Sequence, residues 1–313
     1  MPELGVSEDE EGSPMDVIPL IDPPLRSMTL ADGRLLTWQE FGAAEGRPAL
    51  YFHGGGSTSP EAGIFHREAV RNNIRLIATN RPGARGSALR PDRPVAAYSD
   101  DLRELLDFLD VDTFACFGES NGGMVTMAVA ATMPTRVRGA VPINPTVPWF
   151  DPLARSVSSS GAAVGYRLLK YAPALVAVID EKVAARRLRD RSEGKSRDTS
   201  ELLGPPPGTE SDVADLHHRI ISERAGRQGL RAELAWATSG WGFDHYAIPV
   251  PLDFFCGVQD AQAPFALVLA DRNPDARFHH FSYGHNGFSH PDARRRILDV
   301  VSGYLDDATE DSA

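Results

Sequence analysis

The segment CFGESNGGMV, Cys116–Val125, sets a serine between two glycines, Gly118-x-Ser120-x-Gly122, where one apolar run ends and another begins. This spacing is that of a strained strand-to-helix turn, which lifts a serine hydroxyl out of the backbone and tolerates no side chains at the flanking glycines. A serine hydroxyl is a weak nucleophile near neutral pH. It needs a base to take its proton and a third group to orient that base. Asp260, in GVQD, stands just past the apolar run LDFFCG, whereas Asp253 lies inside that run. His285, in YGHNGFS, follows the next run, ARFHHF, by a few residues. His279 and His280 belong to the end of that run and His290 to the start of the final helix, so His285 is the expected base and Asp260 its orienting carboxylate. An unperturbed imidazole titrates near ~6.5, so a rate that depends on it fades as pH falls through that range.

Attack on a carbonyl also needs N–H donors for the negative charge that develops on its oxygen. His53-Gly54-Gly55-Gly56 closes the run ALYFH, and its backbone can aim N–H groups outward because no side chains obstruct it. The Gly55 amide, with Gly56 as the alternative, is expected to pair with the Asn121 amide after the serine; His53 reads as a loop-shaping residue. The loop lacks the Gly-Lys-Ser/Thr ending of a phosphate loop, and the dinucleotide pattern Gly-x-Gly-x-x-Gly is absent there. No cofactor and no metal are expected.

Residues so far apart in sequence need a scaffold that gathers them. Residues 26–30 and 34–41, separated by Ala31-Asp32-Gly33, predict a β-hairpin. Beyond it, short apolar runs at 49–53, 74–80, 113–118 and 137–144 alternate with helical patterns. In SDDLRELLDFLD (99–110), Leu102, Leu105, Leu106 and Leu109 share one face and Ser99 could cap the helix. The alternation resumes at 250–257, with a helix around 263–272, a strand at 276–281 and a last helix from about 291 to 305. Buried strands alternating with amphipathic helices predict an α/β fold with a parallel sheet covered on both faces. The roughly hundred residues from Pro145 to Ile248 exceed a simple crossover and predict an inserted helical subdomain, with helices near 161–171, 173–190, 211–226 and 229–239. The polar stretch KSRDTSELLGPPPGTESD reads as a mobile loop.

With 313 residues, 42% apolar and 24% charged, the composition is that of a folded globular protein, and the net charge of −11 argues against nucleic acid as a partner. Acidic residues gather at 1–24 and 306–313, which read as solvated tails. No secretory signal is expected, no apolar run is long enough to span a bilayer, and a cytoplasmic location is the expectation. Cys116 and Cys256 lie in apolar runs and read as buried thiols.

Taken in order, HGGG, NRPGARGSA, GESNGG, GVQD and GHNGF resemble the α/β-hydrolase superfamily over residues 25–144 and 248–305. The resemblance implies an eight-stranded, mostly parallel sheet with a helical cap, here 145–247, inserted after the sixth strand. Its strand order would separate the two cysteine-bearing strands by two places, about 10 Å, too far for a disulfide. Among subfamilies the chain is similar to capped hydrolases of the proline-iminopeptidase and small-ester type. The former normally carry His-Gly-Gly-Pro-Gly and a tryptophan after the serine, where this chain has Gly56 and Asn121. A serine at the elbow separates the chain from the haloalkane dehalogenases and epoxide hydrolases, which use aspartate there. The expected activity is hydrolysis of a small, largely apolar ester or amide through an acyl-enzyme. A lyase, cyclase or transferase on the same three residues, and a receptor-like binding module with little catalysis, are the alternatives. Trp149, Phe150, Tyr166, Trp236, Trp241 and Phe243 are equally readable as pocket walls or as core.

Overall fold

The computed structural model describes residues 18–90, 93–157, 160–192, 206–222 and 227–310. The strands are β1 (Arg26–Thr29), β2 (Leu35–Gly42), β3 (Arg47–Phe52), β4 (Ile74–Thr79), β5 (Phe114–Glu119), β6 (Val137–Ile143), β7 (Asp253–Gly257) and β8 (Arg277–Phe281). They form one sheet in the order β1-β2-β4-β3-β5-β6-β7-β8. Pairings of β2 with β1 and β4 are antiparallel and the other five are parallel. The hairpin turns on Asp32, whose carboxylate accepts the Arg34 N–H, and on Gly33 at φ 83°.

The helices are α1 (His66–Arg71), α2 (Tyr98–Phe108), α3 (Asn121–Thr132), α4 (Pro152–Val157), α5 (Ser160–Tyr171), α6 (Pro173–Ser192), α7 (Ser211–Ser222), α8 (Arg227–Thr238), α9 (Ala263–Arg272) and α10 (Pro291–Glu310). Helices α4 to α8 fall between β6 and β7, where the sequence carries its long insertion. The stretch expected to be a mobile loop lies mostly outside the described residues, as do the first seventeen residues. Residues 18–24 touch the body of the protein: the Ile18 carbonyl accepts from Arg67 and the Pro23 carbonyl from Gln39.

Successive residues of a strand face opposite sides of a sheet, and here both sides are dry. Leu50, Phe52, Phe114 and Cys116 enter one core cluster, with Leu102 and Leu105 of α2 and Met124 and Met127 of α3. Ala49, Tyr51, Ala115 and Phe117 enter the other, with Ala69 of α1 and Ile297, Leu298 and Val301 of α10. Each fully buried phenylalanine contributes about 1.5–3 kcal/mol. Strands β3 and β5 lie mid-sheet, and their carboxyl ends lead into His53 and Ser120.

Ser99 does not cap α2. The helix starts one residue earlier, Ala97 occupies the cap without a side-chain bond, and the buried Ser99 hydroxyl instead accepts from Thr132. Trp236 and Trp241 belong to the first core cluster, with Trp149, Phe150 and Phe243 partly buried against it. The Tyr166 side chain lies outside the described residues. Both cysteines are buried free thiols.

Candidate active site

Ser120 sits between β5 and α3 at φ 55°, ψ −114°, a conformation that costs a non-glycine residue about 1–3 kcal/mol and persists only where its surroundings enforce it. They do so from both sides. The Ser120 N–H donates to the Ile143 carbonyl at 2.9 Å, and the Ser120 carbonyl accepts the Thr146 N–H at 3.0 Å. A Cβ at Gly122 would overlap the Phe52 carbonyl, and one at Gly118 would lie 2.6 Å from the same oxygen. Both glycines are therefore imposed by the close approach of the β3 backbone to the turn.

Asp260 and His285 come together on the loops after β7 and β8. His285 Nδ1 is 2.5 Å from Asp260 Oδ2, and Asp260 Oδ1 accepts the Gln262 N–H at 2.7 Å. A Cβ at Gly257 would lie 2.5 Å from the Gly284 carbonyl, so the two loops touch backbone to backbone. Asn144, fully buried and left-handed at φ 42°, pins both. Its Nδ2 donates to the His285 carbonyl at 2.6 Å and its Oδ1 accepts the Gly257 N–H at 2.9 Å.

Among the described residues, no hydrogen bond joins Ser120 Oγ to His285. The imidazole has a different near neighbour: Nε2 lies 2.8 Å from Glu119 Oε1, an ion-pair contact without hydrogen-bond alignment. Burial lowers the His285 proton affinity, but the charge of Glu119 and the bond to Asp260 outweigh it and hold the imidazolium well above the usual histidine range. Glu119 in turn crowds Glu61. Burial, then the Glu119 charge, pushes the Glu61 carboxyl up to about 7, while Glu61 Oε1 accepts from Tyr51 and from the Gly54 N–H, both at 2.7 Å.

The glycine loop is held from several directions. Arg81, fully buried after β4, donates to the His53 carbonyl and, at 2.7 Å, to the Gly54 carbonyl. His53 itself is fully buried, and burial and the Arg81 charge keep its ring neutral. Every residue from 49 to 69 is buried except Gly55, which keeps partial exposure. Neither the Gly55 N–H nor the Asn121 N–H donates to an acceptor among the described residues, so both remain open to a ligand oxygen. The two residues adjoin, since a Cβ at Gly55 would lie 2.8 Å from Asn121 Nδ2. Gly56 is not the alternative donor, because its N–H is spent at 3.0 Å on the Glu233 carboxylate of α8.

Five residues of this arrangement were not singled out from sequence: Glu61, Arg81, Glu119, Asn144 and Glu233. One of them carries a sequence signal: Glu233 shares a helical stripe with Leu230 and Trp236, so a carboxylate falls on an apolar face. Among the described residues no group of histidine, cysteine and carboxylate side chains could hold a metal ion, and no helix is long and apolar enough to cross a membrane.

Residues 47–196 match the family model of the alpha/beta hydrolase fold. A dihydrolipoyllysine-residue acetyltransferase component of the acetoin cleaving system of Pseudomonas putida is 36% identical over 34% of this chain and 28% of its own length. A proline iminopeptidase of Neisseria meningitidis is 30% identical over 33% of this chain and 34% of its own. The matches thus take in about a third of these relatives' length or less. The crystal structure of the enol-lactonase from Burkholderia xenovorans superposes with a TM-score of 0.64 at 14% identity, covering 90% of this chain and all of that one. Strand order, the strained serine turn and these matches show that the chain has the α/β-hydrolase fold.

Proposed function

We propose that the protein is a serine hydrolase acting on a small, largely apolar ester or amide through an acyl-enzyme. The observation that carries this reading is the strained Ser120 turn, backed by Gly55 and Asn121 N–H groups with no protein acceptor and flanked by a carboxylate-bound imidazole. Ser120 Oγ attacks the carbonyl carbon and its proton passes to His285 Nε2, while Asp260 holds the Nδ1 proton and so fixes the tautomer. The carbonyl oxygen, now negative, takes hydrogen bonds from Gly55 and Asn121. Collapse expels the alcohol or amine, protonated by His285, and water then releases the acid by the same steps in reverse. Preorganised donors of this kind contribute about 10²–10³ in rate each.

The names of the iminopeptidase and the enol-lactonase support acyl chemistry. That of the acetyltransferase component favours a second reading, in which the acyl group leaves Ser120 for a thiol or alcohol instead of water. A p-nitrophenyl ester panel separates the readings. The hydrolase reading expects turnover in water that Ser120→Ala abolishes. Release of one equivalent of nitrophenol, with turnover only when a thiol or alcohol is added, supports transfer; no release from any ester overturns both.

A further inference from the structure

We infer that Glu233 is a positioning residue through which the inserted helix α8 holds the glycine loop in its donor-out shape. The inference rests on the hydrolase reading and deepens it.

From His53 to Ser57 the backbone polar groups are turned inward one after another. The His53 and Gly54 carbonyls accept from Arg81, the Gly54 N–H donates to Glu61, and the Ser57 N–H donates to the Gly54 carbonyl at 3.2 Å. The Gly56 N–H is the link that comes from outside the core. It donates to Glu233 Oε2 at 3.0 Å, and the same oxygen accepts Arg81 Nη2 at 3.0 Å and lies 3.5 Å from Asn121 Nδ2. One carboxylate oxygen thus touches the residue after Gly55, the arginine that grips the loop and the side chain of Asn121. It contacts both sides of the proposed oxyanion site without itself reaching the reacting atoms.

Burial makes the arrangement stiff. Glu233 is 1% exposed and Arg81 fully buried, so the pair meets without solvent between them. Two neutral glycines let α8 come this close: a Cβ at Gly229 would lie 2.5 Å from the Gly83 carbonyl, and one at Gly83 would lie 2.7 Å from Gly229 Cα. Gly83, at φ 85°, belongs to the turn that presents Arg81. Helix α8 therefore seats on the Arg81 turn by backbone contact and on the glycine loop by one carboxylate. Were α8 displaced, the Gly56 N–H would lose its acceptor and the loop would be free to rotate the Gly55 N–H away from the carbonyl oxygen. The insertion, in this account, sets the activity of the oxyanion site and does more than shape the substrate pocket.

The test compares wild type, Glu233→Gln and Glu233→Ala in kcat, KM and affinity for an alkyl trifluoromethyl ketone, which Ser120 Oγ converts to a tetrahedral alkoxide. Expected for Glu233→Ala is a loss of about ten-fold or more in both kcat and ketone affinity, with KM changed by less than about two-fold. Glu233→Gln keeps an acceptor oxygen but not the charge, so it regains part of each loss and stays about three-fold or more below wild type in kcat and ketone affinity. Because removal of one partner from a buried ion pair destabilises a fold, Glu233→Gln decides alone if the alanine variant does not fold. Ketone affinity and kcat within about two-fold of wild type in the folded variants overturn the inference, as does a loss confined to KM. A wild-type protein that neither turns over esters nor binds the ketone overturns the hydrolase reading itself.

Discussion

Replacing Asn144 by alanine removes the clamp between the two loops that bring Asp260 and His285 together. It leaves the Gly257 N–H and the His285 carbonyl without their partners at 2.9 and 2.6 Å, in a place where Asn144 is fully buried. Each buried group so stranded costs about 1–3 kcal/mol. Alanine held at φ 42° adds about 1–2 kcal/mol that asparagine largely escapes. The sum is a loss of about 3 kcal/mol at the least, read from the shift of a urea midpoint at constant slope. Asn144→Asp isolates the His285 side of the clamp. It keeps the left-handed backbone and the acceptor for Gly257, but sets a carboxylate oxygen against the His285 carbonyl. Its fluorophosphonate labelling should slow by about ten-fold or more, because displacement of a reacting group by an ångström is enough for a loss of that order. Asn144→Ala within about 0.5 kcal/mol of wild type, with unchanged labelling in both variants, would show that Asn144 does not hold the two loops.

Glu119 sets the pH response. A histidine held protonated by Glu119 and Asp260 cannot accept the Ser120 proton, so kcat/KM should rise only above the usual histidine range, and Glu119→Gln should move that rise toward acid; a superimposable profile contradicts this. The same raised proton affinity stabilises the fold below about 6.5 and that contribution is lost as pH rises through the folded value, a trend Glu119→Gln should weaken in melts across pH. Glu61, raised from 4.5 to about 7, likewise favours the fold at low pH and ceases to do so between those values, a loss on the order of 3 kcal/mol that Glu61→Gln should not show. Gly122→Ala forces its Cβ into the Phe52 carbonyl and should abolish labelling or folding; a stable variant with wild-type labelling would contradict the close approach of the β3 backbone to the turn.

What could be read from sequence was whatever repeats or is local. Alternating residues of β3 and β5 are apolar on both faces, which is why the sequence alone points to a parallel, doubly covered sheet. The serine turn was evident because its glycines answer a local steric demand. The contacts that tune the site are of another kind. Glu119 is an ordinary polar residue at a strand end until the β8 loop brings His285 beside it, 166 positions later in the chain. Arg81 reads as a turn arginine, and only folding seals it beneath the glycine loop. Gly56 has the right type and place for an oxyanion donor, yet a carboxylate from α8 claims its N–H. Asn144 announces only that it tolerates φ > 0, which says nothing of what its amide will hold.

The most direct measurement is intact-mass analysis and peptide mapping after incubation with an alkyl fluorophosphonate. One adduct per chain is expected, located on Ser120, formed slowly in His285→Ala and not at all in Ser120→Ala. An adduct on a different residue, or a folded wild-type protein that takes none, would contradict it.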